Sequence, residues 1–413
     1  MVYEMYPKSN NPSAQFVGFA SDNYAGAHEN VIKWLEAANS DFARPYNDDI
    51  YTEKFRDIMD SMFGKKVSVF PSLNGTGTNV LCLRAVLPRW GTVCAPETAH
   101  INTDEAGAPE HMAGLKIMTA PTKNGKILPS DVITLSRALG DIHSAQPAIV
   151  SISNTTERGT VYSADEIGAI VATAHSRGML VHVDGARIFN AVVAQGYAST
   201  HEGFKAMYGD TGVDVISLGG TKVGAMSAEA VVVMHPEGSD LWRGAKFSQK
   251  QMGQLSSKAR YLSAQFLALF EDDLAFSLAK HGNDMMQLLF QKYINATGAT
   301  KDVAAFLSGA TSAYASGNNT PLGDSMHNFE DFEDPFTYQS KPDANAFFPT
   351  LPNPVLSKLR EKYHFYDVNA TAEKTTIRLM TSFATTEQQL DDFVWALGEA
   401  MAACGLNPTN GAG

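Results

Sequence analysis

Four short segments set reactive side chains where apolar runs end. ISLGGTKVGA, residues 216–225, carries Lys222 between glycines, and MLVHVDGARIFN delivers Asp184 straight after an apolar run, with Gly185 and Arg187 following. SLNGTGTN puts Gly75, Thr76 and Thr78 in a turn whose backbone N–H groups and hydroxyls can hold a phosphate where a helix begins. ETAHINTDEAGAPE adds His100 in a polar stretch. Each also has a bland use: a lysine there can snorkel to solvent, an aspartate can cap a helix, and a lone histidine can be hydrogen-bonded filler. Brought together, they meet one demand. An amine able to form an imine, a carboxylate able to pair with a pyridinium nitrogen, a phosphate cradle and a ring that can stack are what pyridoxal phosphate requires. A lysine shielded from water beside that cofactor loses its proton more readily and becomes a nucleophile toward an aldehyde.

These residues need a scaffold that brings several strand ends to one edge. From about residue 50 to 235, apolar runs of strand length alternate with longer helical segments, the pattern of βα units around a mostly parallel, doubly covered sheet. The expected strands are VSVFPSLNG, GTVCA, LKIMTA, PAIVSISN, MLVHVD, VDVISLGG and AEAVVVMH. Between the fourth and fifth, SADEIGAIVATAHSRG has the S-x-x-E spacing of a capping box at Ser163 and Glu166, with Gly178 where the helix would stop. Right-handed crossovers then turn the carboxyl ends of the strands toward one edge, where open α/β sheets bind ligands.

After His235 the pattern changes. QLSSKARYLSAQFLALFEDDLAFSLAKHGNDMMQLLFQKYI reads as long helix leading to a smaller domain, and residues 300–342 read as a loop or insertion rich in Gly, Ser, Asn and Asp. Its acidic FEDFEDP has no metal-ligand spacing and reads as a solvated loop. The expected division is an N-terminal segment 1–50 that contributes to the site and a dimer interface, a large domain 51–265, and a small domain 266–413 holding the insertion.

Composition narrows the class. A chain of 413 residues with a net charge of -12 lacks the basic face that nucleic acid or an anionic membrane would demand. MVYEMYPKSN lacks the basic start and apolar core of a secretory signal, and no apolar run would span a bilayer, so a cytoplasmic protein is expected. The three cysteines, Cys82, Cys94 and Cys404, are scattered singly, so neither a disulfide framework nor a thiolate metal site is indicated.

In order and wording, FASDNYAG, ARPYNDD, ETAHINTDEAGAPE, HVDGARIFNA, SLGGTKVG, GQLSSKARYLSAQF and TIRLMTSF resemble the low-specificity L-threonine aldolases, a fold-type I family of pyridoxal-phosphate enzymes. The resemblance covers almost the whole chain apart from residues 300–342. It implies an α/β fold with a mostly parallel seven-stranded sheet covered by helices, and a smaller C-terminal α+β domain. It implies that pyridoxal phosphate is held by a covalent Schiff base to Lys222, with Asp184 at the ring nitrogen, His100 stacked on the ring, and Gly75 and Thr76 at the phosphate, joined by Lys258 from a neighbouring subunit. Ser21, Arg187 and Arg378 would hold the substrate carboxylate, and Tyr46 would sit near the cofactor at the dimer interface. The implied assembly is a homotetramer, a dimer of dimers with shared sites.

The implied reaction is reversible retro-aldol cleavage of L-threonine, L-allo-threonine or related β-hydroxy amino acids to glycine and an aldehyde. Many members carry a second histidine in an E-N-T-H-N segment, at the substrate hydroxyl. This chain reads SNTTERG, with Thr156 or Glu157 in the corresponding place, which leaves the base open between these, a water and a phosphate oxygen. Other reactions on the same fold, such as β-elimination, dehydration or transamination, share Lys222 and Asp184 and are not separated by these residues. A nucleotide-binding role does not fit, because NGTGTN is neither G-x-G-x-x-G nor a P-loop.

Overall fold

The computed structural model describes residues 18–40, 42–301 and 335–406. All seven expected strands form, as β1 (Ser68–Ser72), β2 (Gly91–Pro96), β3 (Lys116–Ala120), β4 (Gln146–Ser153), β5 (Leu180–Gly185), β6 (Val215–Gly219) and β7 (Glu229–Val233). They make one sheet in the order β1-β7-β6-β5-β4-β2-β3. From β6 through β5, β4 and β2 to β3 every pairing is parallel, whereas β7 lies antiparallel between β6 and β1. The connection 220–228 is too short for a crossover, so the chain must turn back on itself there.

The near-unbroken apolar runs are explained by burial on both faces. Along β7, Ala230 and Val232 belong to one core with Ile216, Val183 and Phe266, while Val231 and Val233 belong to another with Val80, Leu83 and Val93. The helix between β4 and β5, Ala164–His175, starts with both reciprocal bonds of the expected capping box, Glu166 N–H to Ser163 Oγ at 3.2 Å and Ser163 N–H to Glu166 Oε2 at 2.8 Å. Gly178 follows in the left-handed region, at φ 70°.

Two expectations are corrected. The long helix is broken into Arg260–Phe270 and Leu274–Thr297, because Asp272 and Asp273 adopt φ of 50° and 53°. Aspartate tolerates that conformation better than most residues, and Asp273 Oδ2 secures the break by accepting from Thr200 N–H at 2.9 Å. The ends of the stretch expected as loop are strands of a second sheet, in which Thr300–Lys301 pairs with Thr337–Tyr338; its interior, 302–334 with most of FEDFEDP, lies outside the described residues.

Lys374–Met380 is the central strand of that second sheet, pairing antiparallel with Ala346–Phe347, Pro349–Pro352 and Tyr366–Ala370. Its core of Met286, Leu289, Phe347, Ile377, Leu390 and Phe393 is separate from the core of the large sheet, which takes in Ala275 and Ala279. The helix Leu274–Thr297 therefore spans both cores, and the large one extends past residue 265. Among the described residues, no helix is long and apolar enough to cross a membrane.

Candidate active site

Parallel pairing carries the ends of β2, β4, β5 and β6 to one edge, and a cleft opens there. Gly75, Thr76, Asn79, His100, Glu105, Ser153, Thr155, Glu157, Asp184, Ala186, Arg187, Ser217, Lys222 and Glu229 line it. Of the residues expected at a site, Gly75, Thr76, His100, Asp184, Arg187 and Lys222 thus meet in one place.

Lys222 stands in a short turn, Thr221–Val223, directly after β6. Burial, reinforced by the Arg187 charge, lowers the pKa of its ammonium, and Asp22, Asp184 and Glu229 offset this only in part. Glu229, at the start of β7, is itself pushed up to about 7 by burial. The ends of β5 and β6 approach each other too closely for side chains: a Cβ on Gly219 would come within 2.7 Å of the Ala186 backbone, and one on Gly185 within 2.8 Å of the Ser217 carbonyl oxygen. Glycine at these points lets Asp184 and Lys222 face the same cleft.

Asp184, the penultimate residue of β5, is buried. Its Oδ1 accepts from Ala186 N–H at 3.0 Å and its Oδ2 from Asn79 Nδ2 at 2.9 Å. Burial by itself raises this carboxyl, but the charge at His182, the Asn79 and Ala186 hydrogen bonds and Lys222 outweigh it and hold it below its ordinary value. Asn79 Nδ2 also reaches Glu105 Oε1 at 2.8 Å, and the same oxygen bonds His100 Nδ1 at 2.8 Å. That bond is the main reason the His100 imidazolium is favoured, against its partial burial.

At the phosphate-like end, Gly75 and Thr76 form the first turn of Gly75–Val86, whose preceding residue Asn74 caps Gly77 N–H at 2.8 Å. The N–H groups of such a turn have no partner inside their own helix. On the side nearest the second sheet, Arg187 is engaged by Asp22, Nε to Oδ2 at 2.6 Å and Nη2 to Oδ1 at 3.0 Å. Burial opposes ionisation of Asp22, yet Arg187 and Asn345 hold its pKa down at about 2.

Other expected residues lie outside this cleft. Ser21 is next to Asp22 but lines a neighbouring hollow with Ser382 and Thr385. Arg378 is turned to the Ala20 carbonyl, at 2.9 Å from Nη2, and stacks on Tyr366. Tyr46 lines another cavity with Asn47, Trp242 and Gln249. Its N–H donates at 3.2 Å to the carbonyl oxygen of Ser257, the residue before Lys258, and neither Tyr46 nor Lys258 lines the cleft of Lys222. Asn79, Glu105, Asp22, Ser153 and Glu229 were missed by the reading of spacing. All five stood inside quoted segments, Asn79 four residues after Gly75 and Glu105 five after His100 among them, but nothing local marked them as part of a site.

The residues present fit pyridoxal phosphate. Three buried acceptors on cleft residues, Asn79 Oδ1, Glu105 Oε2 and Glu157 Oε2, have no hydrogen-bond partner among the described residues. The cleft thus offers acceptors for a donor-bearing ring and substrate, a helix N-terminus for a phosphate, and an amine whose charge is disfavoured. No group of His, Cys, Asp or Glu side chains among the described residues is arranged to hold a metal ion.

The profile of the β-eliminating lyase family matches residues 18–311. A low-specificity L-threonine aldolase of Pseudomonas aeruginosa is 36% identical over 68% of this chain and 80% of its own length. Another from a Pseudomonas species is 38% identical over 66% of this chain and 76% of its own length. Among solved structures, a Leishmania major threonine aldolase is similar, with a TM-score of 0.77 at 26% identity over 92% of this chain and 98% of that one. A Thermus thermophilus aspartate aminotransferase, at 12% identity and a TM-score of 0.61 over 94% of this chain and 92% of that one, shares the fold alone.

Proposed function

The chain belongs to the β-eliminating lyase family, on its threonine-aldolase branch, and from that premise we propose that it cleaves L-threonine, L-allo-threonine and related β-hydroxy amino acids to glycine and an aldehyde, reversibly. It is a pyridoxal-phosphate-dependent lyase. When bound, the cofactor supplies an electron sink for the pair left at Cα when the Cα–Cβ bond breaks. The observation that carries the reading is the meeting of Lys222, Asp184, His100 and the Gly75–Thr76 turn in one cleft.

Lys222 would hold the cofactor aldehyde, because burial in the cleft disfavours its ammonium and leaves the amine available. Asp184 stays ionised and keeps the ring nitrogen protonated, held in place by Asn79 and Ala186. His100, its orientation fixed by Glu105, would cover the ring. Gly75 and Thr76 receive the phosphate through backbone N–H groups. Arg187, tied to Asp22, would hold the substrate carboxylate as an oriented charge, and Arg378 and Ser21 would join it by turning from the Ala20 carbonyl and the neighbouring hollow.

The protein assembles as a dimer of dimers with shared sites. Tyr46 and Lys258 lie on separate segments joined by the Tyr46 N–H bond to Ser257 O, and neither lines the cleft of its own chain; Tyr46 is exposed, as is expected of residues that serve a neighbouring copy. The activity is tested by incubating the holoenzyme with L-threonine and assaying acetaldehyde against 2-oxobutyrate. Acetaldehyde and glycine in equal amounts are expected; a predominance of 2-oxobutyrate would mean dehydration instead.

A further inference from the structure

Aldol cleavage needs an acceptor for the β-hydroxyl proton, and most acceptors in the cleft are committed. Asp184 has both oxygens occupied by Ala186 N–H and Asn79. Asp22 is taken by Arg187 and Asn345. His100 Nδ1 is bound to Glu105, and Glu229 accepts from Thr221. Thr156, the other residue left open by the sequence, bonds Thr160 Oγ1 at 2.7 Å and is not part of the cleft wall.

Glu105 also keeps one bare oxygen, Oε2, but its side chain is fully buried and its Oε1 is the counter-charge of His100 Nδ1 at 2.8 Å. Glu157 is instead half-buried at the cleft wall. Its Oε1 is fixed by Ser153 Oγ at 2.6 Å and by His100 N–H at 3.0 Å. Its Oε2 is buried with no partner among the described residues, and the residue lines the cleft with Lys222, Asp184 and Arg187. A carboxylate anchored through one oxygen and bare at the other is held in one orientation with a lone pair to spare.

We propose that Glu157 is the base that takes the proton from the substrate's β-hydroxyl. The assignment rests on the aldolase reading above. The O–H proton passes to Oε2, the O–H bonding pair becomes the second C–O bond of the aldehyde, and the Cα–Cβ bond breaks with its electron pair remaining on the glycine fragment. One proton delivered to Cα completes glycine, and Glu157 returns its own proton to solvent, so nothing is oxidised or reduced. Burial, with Asp184 nearby, raises the carboxyl above the ordinary glutamate range, which makes its ionised form a stronger base than an exposed carboxylate. The titratable or charged groups around it are His100 and Glu105 after β2, Asp184 on β5 and Arg187 after it, Lys222 after β6, Glu229 on β7, and Arg158 and Tyr162 on its own segment.

The test uses Glu157→Gln holoenzyme with two reactions. Threonine cleavage is expected to lose about 10²-fold or more in kcat/KM. Exchange of the glycine Cα proton with D2O, followed by ¹H NMR, should stay close to wild type, since it needs the cofactor, Lys222 and Asp184 but no acceptor at a β-oxygen. Wild-type kcat/KM should rise with pH through a group that the variant lacks. In cofactor-free protein labelled with ¹³C at glutamate carboxyls, the resonance missing from Glu157→Gln should titrate above the ordinary range. Cleavage by the variant close to the wild-type rate would overturn the assignment in favour of Lys222, a water or a phosphate oxygen. Loss of exchange along with cleavage would also overturn it, by making Glu157 a support for His100. A wild-type enzyme that yields no acetaldehyde would instead refute the aldolase reading and this proposal with it.

Discussion

At Lys222, burial and the Arg187 guanidinium both disfavour the ammonium, so the amine is available for covalent chemistry at a lower pH than a surface lysine. Lys222→Ala should abolish turnover, and borohydride treatment of the wild type should fix a pyridoxyl group on residue 222, read by peptide mass spectrometry. Asp184→Asn should bind cofactor yet lose about 10²–10³-fold in kcat, the scale of removing one preorganised electrostatic partner. Asp22 makes a prediction about stability. Its folded pKa of about 2 lies below the ordinary 3.8, so its contribution is present above the ordinary value and is lost as pH falls toward 2. That contribution is on the order of 2 kcal/mol. Asp22→Asn leaves Arg187 buried without its counter-charge and should cost about 3–5 kcal/mol in urea unfolding at neutral pH, with Asp22's own share of the acid dependence between pH 4 and 2 removed.

At the scale of elements, the site depends on how closely β5 and β6 come together at their carboxyl ends. Gly219→Ala would drive a methyl into the Ala186 backbone, which cannot swing aside as a side chain could. It should cost about 1–3 kcal/mol in stability. It should also weaken cofactor binding, measured by spectroscopic titration, because Ala186 lies between Asp184 and Arg187. The helix Ala164–His175 offers the contrast. Removing its cap with Ser163→Ala should cost about 1 kcal/mol while leaving kcat/KM unchanged, since that helix end takes no part in the cleft.

For the whole molecule, the two segments that meet at Tyr46 and Ser257, carrying Tyr46 and Lys258 outside the cleft of their own chain, are the feature a single chain does not account for. If Lys258 acts in a neighbouring site, Lys222→Ala and Lys258→Ala should each be impaired alone, and unfolding and refolding the two together should restore activity by assembling sites with one intact copy of each residue. Absence of restoration would confine Lys258 to its own subunit. Sedimentation of the wild type should report a tetramer.

The seven strands, the capped helix and six residues that meet in the cleft, Gly75, Thr76, His100, Asp184, Arg187 and Lys222, were legible in the sequence because each leaves a local mark. Buried parallel strands need continuous apolar runs, a cap needs its two side chains at fixed spacing, and a lysine or aspartate at the end of such a run stands out against it. Asn79, Glu105 and Glu229 carried no such mark, because an amide or carboxyl becomes part of a site only when distant segments converge on it. The break at Asp272–Asp273 was hidden for a related reason: its apolar periodicity continues across it, and the Thr200 contact that holds it comes from elsewhere in the chain. The chemistry available to this protein was thus written in residue types and spacing. Which carboxylates are saturated, which are left with a bare oxygen, and which lysine is stripped of water were decided by packing, since burial and hydrogen bonding are properties of neighbours in space.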